Sequence, residues 1–134
     1  MSPLAHIRST VIDCPDPHAL AAFYRDLVDG EILVPDPEDP DWVVVSDHGR
    51  HRIAFQRADD YQPPRWPDPT HPQQLHLDFT VEDPDAAQAH AVALGAIKAV
   101  VQPDDEKSFR VFLDPAGHPF CLCVGEPDGL RPIA

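Results

Sequence analysis

The feature that most constrains the fold of this chain is a pair of similar helix starts in its two halves. Asp16-Pro17 and Asp83-Pro84 each place an N-cap aspartate before a proline at the first helical position, 67 residues apart (16 to 83). Gly30 and Gly95, 65 residues apart (30 to 95), are predicted to end the two helices. Both spacings are close to half of the 134 residues, which indicates a duplicated unit.

The elements around these helices follow the same order in both halves. In the first half, a β-like run over 7–14 precedes a helix whose apolar residues recur at helical spacing, and three strands follow at 31–34, 42–46 and 52–57. The apolar stripe of this helix consists of Leu20, Phe23, Tyr24 and Leu27. In the second half, an alternating run over 75–81 precedes an alanine-rich helix, and strands follow at 97–102, 109–113 and 120–124, with turn chemistry at 114–117.

This pattern predicts an α+β fold of two βαβββ modules within a single domain spanning 1–134. Module 1 covers about 5–57 and module 2 about 73–125. The proline-rich segment 58–72 is predicted to be a stiff connector. Trp66 on this segment either closes a pocket mouth or fills the junction between the modules, and the sequence does not decide between these roles.

Composition excludes several classes of protein. The formal net charge is −13, and no cluster of basic residues offsets it, so nucleic acid is not an expected partner. No apolar run is long enough to span a membrane, and residues 1–12 contain no continuous hydrophobic signal core. We therefore expect a cytoplasmic protein without a membrane partner.

The three cysteines, Cys14, Cys121 and Cys123, are an odd number, which argues against a disulfide framework. Cys121 and Cys123 lack the spacing of CxxC redox motifs and zinc ribbons. On one strand they would face the same side, and we interpret them as small buried hydrophobic residues.

Two motifs give the chain a family resemblance. Residues 22–27 (Ala-Phe-Tyr-Arg-Asp-Leu) resemble the first-helix signature of the glyoxalase/bleomycin-resistance/extradiol dioxygenase (vicinal oxygen chelate) superfamily, and residues 113–120 (Leu-Asp-Pro-Ala-Gly-His-Pro-Phe) resemble its final hairpin turn. Residues 73–78 and 118–123 are similar to a glyoxalase-like subgroup of unassigned activity. The resemblance covers nearly the whole chain. It implies a half-barrel cup around a small-molecule pocket, and a homodimer.

The resemblance also implies a set of site residues. Metal-dependent members of the superfamily take their ligands from the first and last strand of each module, and these positions correspond here to Ser9, Gln56, His76 and Cys121. His76 is a good ligand, Gln56 is a weak one, and Cys121 binds only as a thiolate. Because no glutamate stands at these positions, we favour no cofactor. A divalent metal, if present, would be assigned to His76, Gln56 and Cys121.

Repeat spacing, strand alternation and the family resemblance together single out His76 as the candidate catalytic residue. Alternation places His76 and Asp78 on one face of the strand, away from Leu75 and Leu77, so that Asp78 is in a position to orient the imidazole. The alternative interpretation is a core histidine hydrogen-bonded to a neighbour.

Our leading functional hypothesis is a glyoxalase-like protein with a degenerate metal site. It would bind or weakly transform a small organic metabolite or antibiotic. The predicted pocket consists of Ser9, Trp42, Gln56, Trp66, His76, Asp78 and Cys121. The alternative is a metal-dependent lyase, isomerase or dioxygenase, and whether the protein is an enzyme stays open. A protein–protein adaptor has only the acidic composition in its favour.

Overall fold

A computed structural model describes residues 3–33 and 37–125 of the chain. The chain divides into two compact units, 1–62 and 63–134, which we call module 1 and module 2. The boundary lies inside the proline-rich segment 58–72. Each module contains one helix and one four-stranded sheet, and among the described residues no helix is long and apolar enough to span a membrane.

The elements of both modules follow the predicted order. Module 1 consists of β1 (Thr10–Cys14), α1 (Pro17–Val28), β2 (Glu31–Ile32), β3 (Trp42–Asp47) and β4 (His51–Arg57). Module 2 consists of β5 (Leu77–Val81), α2 (Pro84–Ala93), β6 (Ile97–Lys98), β7 (Phe109–Leu113) and β8 (Pro119–Val124).

The two sheets have the same topology. Their strand orders are β1-β4-β3-β2 and β5-β8-β7-β6. In each sheet the first strand pairs in parallel with the last strand of its module, and the remaining neighbours are antiparallel. The predicted duplicated βαβββ unit and the α+β fold class are therefore confirmed.

The helix starts form as the sequence predicts, but one helix end differs. The carboxylates of Asp16 and Asp83 accept hydrogen bonds from the backbone N–H groups of the third residues that follow them, both at 3.1 Å. Gly30 was expected to end α1, but Asp29 takes the left-handed conformation there, with φ of 51°. Gly30 is needed for a different reason, because a Cβ atom at this position would lie 2.5 Å from the carbonyl oxygen of Ser46.

The strands at the module starts are shorter than predicted. The runs 7–14 and 75–81 pair only from Thr10 and Leu77 onwards, so Ser9 and His76 each lie just outside a strand. Leu77 pairs with Phe120, directly after Pro119, which has no N–H to donate to a ladder.

The sheet edge at β6 also differs from the prediction of a strand over 97–102. Only Ile97 and Lys98 are strand residues. The side chain of Gln102 donates to the carbonyl oxygen of Val111 at 2.9 Å and accepts from its N–H at 2.9 Å. The N–H of Ala99 still donates to the carbonyl oxygen of Val111, so the side-chain amide replaces only the return hydrogen bond of this ladder pair, a substitution that strand propensity does not reveal. In module 1 the predicted strand 31–34 ends at Ile32, and Val34 lies outside the described residues.

The hairpin that leads into β8 is fixed by a buried aspartate. The carboxylate of Asp114, which is 3% exposed, accepts hydrogen bonds from the N–H groups of Ala116 (2.9 Å) and His118 (3.0 Å). Gly117 adopts a φ of +94°, which favours glycine. The predicted turn over 114–117 therefore holds the start of β8 in a defined position.

Candidate functional site

In module 1, helix α1 packs on one face of the sheet, and among the described residues of this module no helix packs on the other face, which is called the helix-free face below. The ring of Phe55 on β4 stacks on the ring of Tyr24 on α1, with centroids 5.5 Å apart. Because side chains alternate along a strand, Gln56 projects from the opposite, helix-free face. Gln56 is in register with Trp42 on β3 and Asp13 on β1, so these three residues form a row across that face.

In module 2, the two faces are distinguished by Arg110 on β7. Its guanidinium donates to Gln88 and Asp85 on α2, both at 2.9 Å, so Arg110 lies on the helix face. Leu122 is its register partner and shares this face. Alternation then places Cys121 and Cys123 on the helix-free face of β8.

A group of reactive side chains lies on this helix-free face of module 2. The Nε2 atom of His76 is 3.2 Å from the Oδ1 atom of Asp78. Asp78 is in register with Cys121 on the neighbouring strand. One nitrogen, oxygen or sulfur atom from each of His76, Asp78 and Cys121 lies within 4.8 Å of the others. These three residues are called the module 2 cluster below.

The cluster is open on one side and buried on the other. The side chains of His76 and Asp78 are 41% and 60% exposed, whereas Cys121 is 7% exposed. A ligand can therefore reach the imidazole and the carboxylate directly, while the thiol forms the floor beneath them.

The thiols at this site are kept neutral by their surroundings. Burial, followed by the negative charge of Asp78, raises the pKa of Cys121 to about 12. The same two causes, in the same order, raise the pKa of Cys123 to about 11. Neither cysteine supplies a thiolate nucleophile at neutral pH.

The structure brings together part of the predicted site. His76, Asp78 and Cys121 are close to one another in module 2, and the pairing of Asp78 with the imidazole is as the alternation suggested. Gln56 and Trp42 are neighbours in module 1, where Ser9 directly precedes β1. Trp66 is half-buried on the segment 58–72. The functional roles of all seven residues stay predictions.

Cys123 is the residue that sequence reasoning missed. It had been interpreted as a buried hydrophobic residue, although the expectation that it shares a face with Cys121 was correct. Its register partner is Thr80, and the negative charge of Asp78 is the second cause, after burial, of the raised pKa of its thiol. The i, i+2 spacing of Cys121 and Cys123 on one strand was the available signal, but the influence of Asp78 becomes apparent only once the pairing of β5 with β8 is known.

A comparison with models of protein families identifies the family to which the chain belongs. The model of a glyoxalase-like domain matches residues 9–123, which include all the described helices and strands except the last residue of β8. The chain belongs to this glyoxalase-like domain family. Its fold is that of the glyoxalase/bleomycin resistance/dioxygenase superfamily. A search of curated proteins found no match.

Several solved structures share the fold of this glyoxalase-like domain at low sequence identity. A lactoylglutathione lyase from Agrobacterium tumefaciens has a TM-score of 0.62 and 23% identity, covering 96% of this chain and 100% of that one. A glyoxalase/bleomycin resistance protein/dioxygenase family enzyme from Burkholderia phytofirmans PsJN has a TM-score of 0.64 and 19% identity, covering 87% and 95%. An E126Q mutant of the fosfomycin resistance protein FosX from Listeria monocytogenes, complexed with Mn(II) and 1S,2S-dihydroxypropylphosphonic acid, has a TM-score of 0.70 and 17% identity, covering 94% of each chain.

Proposed function

We propose that this glyoxalase-like protein binds a small organic molecule, and at most transforms it slowly, with His76 as the principal polar contact. One observation carries the proposal: an accessible imidazole–carboxylate pair, His76 and Asp78, stands above a buried thiol on a helix-free sheet face. A few convergent polar groups on a partly apolar surface are typical of small-molecule sites.

The pair gives His76 a defined hydrogen-bonding character. The Nε2 atom lies 3.2 Å from the Asp78 carboxylate, which favours the tautomer with the proton on Nε2, and Nδ1 is then an acceptor for a hydroxyl or amine of the ligand. An unprotonated Nδ1 can also accept a proton from a bound ligand. The same geometry therefore supports binding and, for a ligand with a sufficiently acidic proton, weak general-base catalysis.

The remaining pocket residues are proposed on the family resemblance. Ser9, Trp42, Gln56 and Trp66 are proposed as further ligand contacts, with Gln56 and Trp42 contributing an amide next to an aromatic surface. We also propose that the protein is a cytoplasmic homodimer. Static light scattering that gives the monomer mass of 14.8 kDa across micromolar concentrations would contradict the dimer.

A metal-dependent lyase, isomerase or dioxygenase is the second candidate. The compact module 2 cluster and the Mn(II) bound to the FosX relative favour it. The donor set argues against the use of Mn(II) in this chain, because hard ions prefer carboxylate and water ligands. The inherited position occupied by Cys121 offers a buried thiol instead. We therefore derive no catalytic step through a metal.

The test of this proposal is a ligand screen on the full-length, untagged protein with a chelator present. Thermal shift with fosfomycin, lactoylglutathione, bleomycin and a metabolite library should identify a compound that raises the melting temperature, and calorimetry should confirm binding without metal. Stabilisation that disappears in chelator and returns with a divalent ion would favour the metal-dependent candidate. A screen in which no compound binds under either condition would contradict the small-molecule function.

A further inference from the structure

Module 1 contains a cleft at the end of its sheet, where none of the predicted site residues lies. Its volume is about 340 Å³, and its lining comes from three places: residues 15–18 around the start of α1, Pro40 with Asp41 directly before β3, and Arg57 at the end of β4. Cys14 and Arg57 are register partners, so the carboxyl ends of the parallel strands β1 and β4 meet here. This cavity is called the end cleft below.

The walls of the end cleft are held together by hydrogen bonds. The Nε2 atom of His18 lies 2.9 Å from the carbonyl oxygen of Pro40, which ties the segment before β3 to the start of α1. The N–H of Arg57 donates to the carbonyl oxygen of Asp41 at 2.9 Å, which ties the same segment to β4. The backbone around the cleft is therefore preorganised, and less conformational entropy is lost when a ligand binds.

Two side chains of opposite charge line the end cleft without forming a hydrogen bond to each other. The Nη1 atom of Arg57 is 3.8 Å from the Oδ1 atom of Asp41, beyond hydrogen-bond distance, and both side chains are more than half exposed. The second carboxylate near this guanidinium, that of Asp59, is 3.7 Å from its Nε atom. The N–H donors of a guanidinium form a planar fork that fits a carboxylate. A ligand can therefore offer each of the two side chains a shorter and better-aligned partner.

We propose that the end cleft binds a small zwitterion of the α-amino acid class. The carboxylate and the ammonium group of an α-amino acid are about 3 Å apart, so one molecule can place its carboxylate on Arg57 and its ammonium group on Asp41. Each side chain then exchanges a loose ion pair for a direct, charge-assisted hydrogen bond. The carboxylate of Asp16 lines the same cleft and adds to the negative charge around the ammonium group.

The rest of the lining favours an amino acid with a small apolar side chain. Three prolines, Pro15, Pro17 and Pro40, supply apolar ring carbons to the walls. The volume of about 340 Å³ lies at the small end of the range for ligand sites, about 300–1,000 Å³, which fits one amino acid better than a peptide. A simple anion would meet the carboxylates of the cleft, and a simple cation would meet Arg57, so a ligand of one charge is disfavoured.

This inference goes beyond the proposed function and does not rest on it. The end cleft belongs to module 1, whereas His76 and Asp78 belong to module 2. An amino acid found in the ligand screen is assigned to the end cleft if Arg57→Met weakens its binding and His76→Ala does not. A screen without a hit for His76 leaves the end cleft standing, and an end cleft that binds no zwitterion leaves the proposed function standing.

Two-dimensional NMR of the nitrogen-15-labelled full chain tests the site on the parent protein. Because both charged groups are solvent-exposed, we expect weak binding, in the millimolar range. L-leucine should cause saturable shifts of the backbone amide signals of His18, Asp41 and Arg57. Isocaproate, which lacks the ammonium group, and leucinamide, which lacks the carboxylate, should not. No saturable shift with L-leucine, or equal saturation by either analogue, would overturn the proposal.

Variants then assign the contacts. Arg57→Met and Asp41→Asn each remove one charge and should weaken leucine binding about three- to tenfold, the effect of losing a charge-assisted hydrogen bond at a half-exposed site. Arg52→Met removes a guanidinium from the same strand, β4, outside the end cleft, and is the matched control that should leave the affinity unchanged. A loss for Arg52→Met as large as that for Arg57→Met would overturn the assignment to the end cleft.

Discussion

The two modules share a topology but attach their helices to their sheets in different ways. Helix α1 buries Leu20, Phe23 and Tyr24 against the sheet of module 1. In the repeat, Tyr24 corresponds to Ala91, which is the fully buried residue of α2. The aromatic contacts of module 2 lie within its sheet instead, where Phe120 contacts both Phe79 and Phe112.

The helix-free faces also differ, and here module 2 carries the larger set of polar and reactive side chains. In module 1 this face carries Gln56 next to Trp42, an amide and an aromatic ring. In module 2 it carries an imidazole, a carboxylate and two thiols. After duplication one copy can keep the core that stabilises the fold while the other accumulates reactive side chains. We interpret module 1 as the copy that contributes more to stability and module 2 as the copy that carries the reactive side chains.

The largest expected effect is on the stability of module 1. Leu20→Ala removes a side chain that is 2% exposed, and should lower the free energy of unfolding by about 2–5 kcal/mol. Val92→Ala on α2 is the matched control, because Val92 is 48% exposed and should cost less than about 0.5 kcal/mol. Urea unfolding followed by circular dichroism measures both. Equal losses of unfolding free energy for the two variants would contradict the interpretation that module 1 is stabilised by the burial of α1 against its sheet.

The next effect concerns the reactivity of the module 2 thiols. The pKa of Cys123 is raised from 9.0 to about 11, so its thiolate fraction at pH 8 should be about 100-fold below that of an unperturbed thiol. Its alkylation rate should keep rising about tenfold per pH unit beyond pH 9 and level off only near pH 11. The measurement is iodoacetamide labelling resolved by peptide mass spectrometry, with glutathione as the reference thiol.

Asp78→Asn separates the two causes of this shift. Removing the carboxylate charge should increase the Cys123 labelling rate severalfold, without reaching the rate of glutathione, because burial is the larger cause. A variant that labels as slowly as the parent would show that Asp78 has no electrostatic influence on the thiols. One observation would then no longer support the interpretation of module 2 as the copy that carries the reactive side chains.

The smallest effect is on the polar contact that links α2 to its sheet. Asp85→Ala removes the carboxylate that accepts a 2.9 Å hydrogen bond from Arg110, but Asp85 is 89% exposed. An exposed ion pair of this kind should contribute about 0.2–1 kcal/mol to the free energy of unfolding. A loss above about 2 kcal/mol would mean that this ion pair, rather than apolar packing, is the main attachment of α2.

The repeat in the sequence predicted most of the fold because its signals are local. A capping aspartate followed by proline and the alternation of apolar residues depend on residues close together in the chain, so helices and strands could be placed within a few residues. The departures arise where a distant group intervenes. The carbonyl oxygen of Ser46 explains the need for Gly30, and the side chain of Gln102 replaces one hydrogen bond of a strand pair at Val111.

The sequence predicted the candidate site about as well as it predicted the fold. Alternation placed His76 and Asp78 on one face, and the family resemblance added Cys121 on the partner strand. The influence of the Asp78 charge on the Cys123 thiol could not be predicted, because it depends on the register of β5 with β8. Pairing of Thr80 with Cys123 becomes apparent only once the register of β5 and β8 is known.

The central claim, that ligand recognition is concentrated in module 2, is tested most directly by one pair of titrations. Ser9 and His76 occupy equivalent positions in the repeat, each directly before the first strand of its module. Calorimetry with the compound found in the screen should show about a 5- to 150-fold loss of affinity for His76→Ala, the cost of losing a hydrogen bond that the bound ligand would shield from water. Ser9→Ala should lose much less. Equal affinity of His76→Ala and the parent, or a larger loss for Ser9→Ala, would contradict the account.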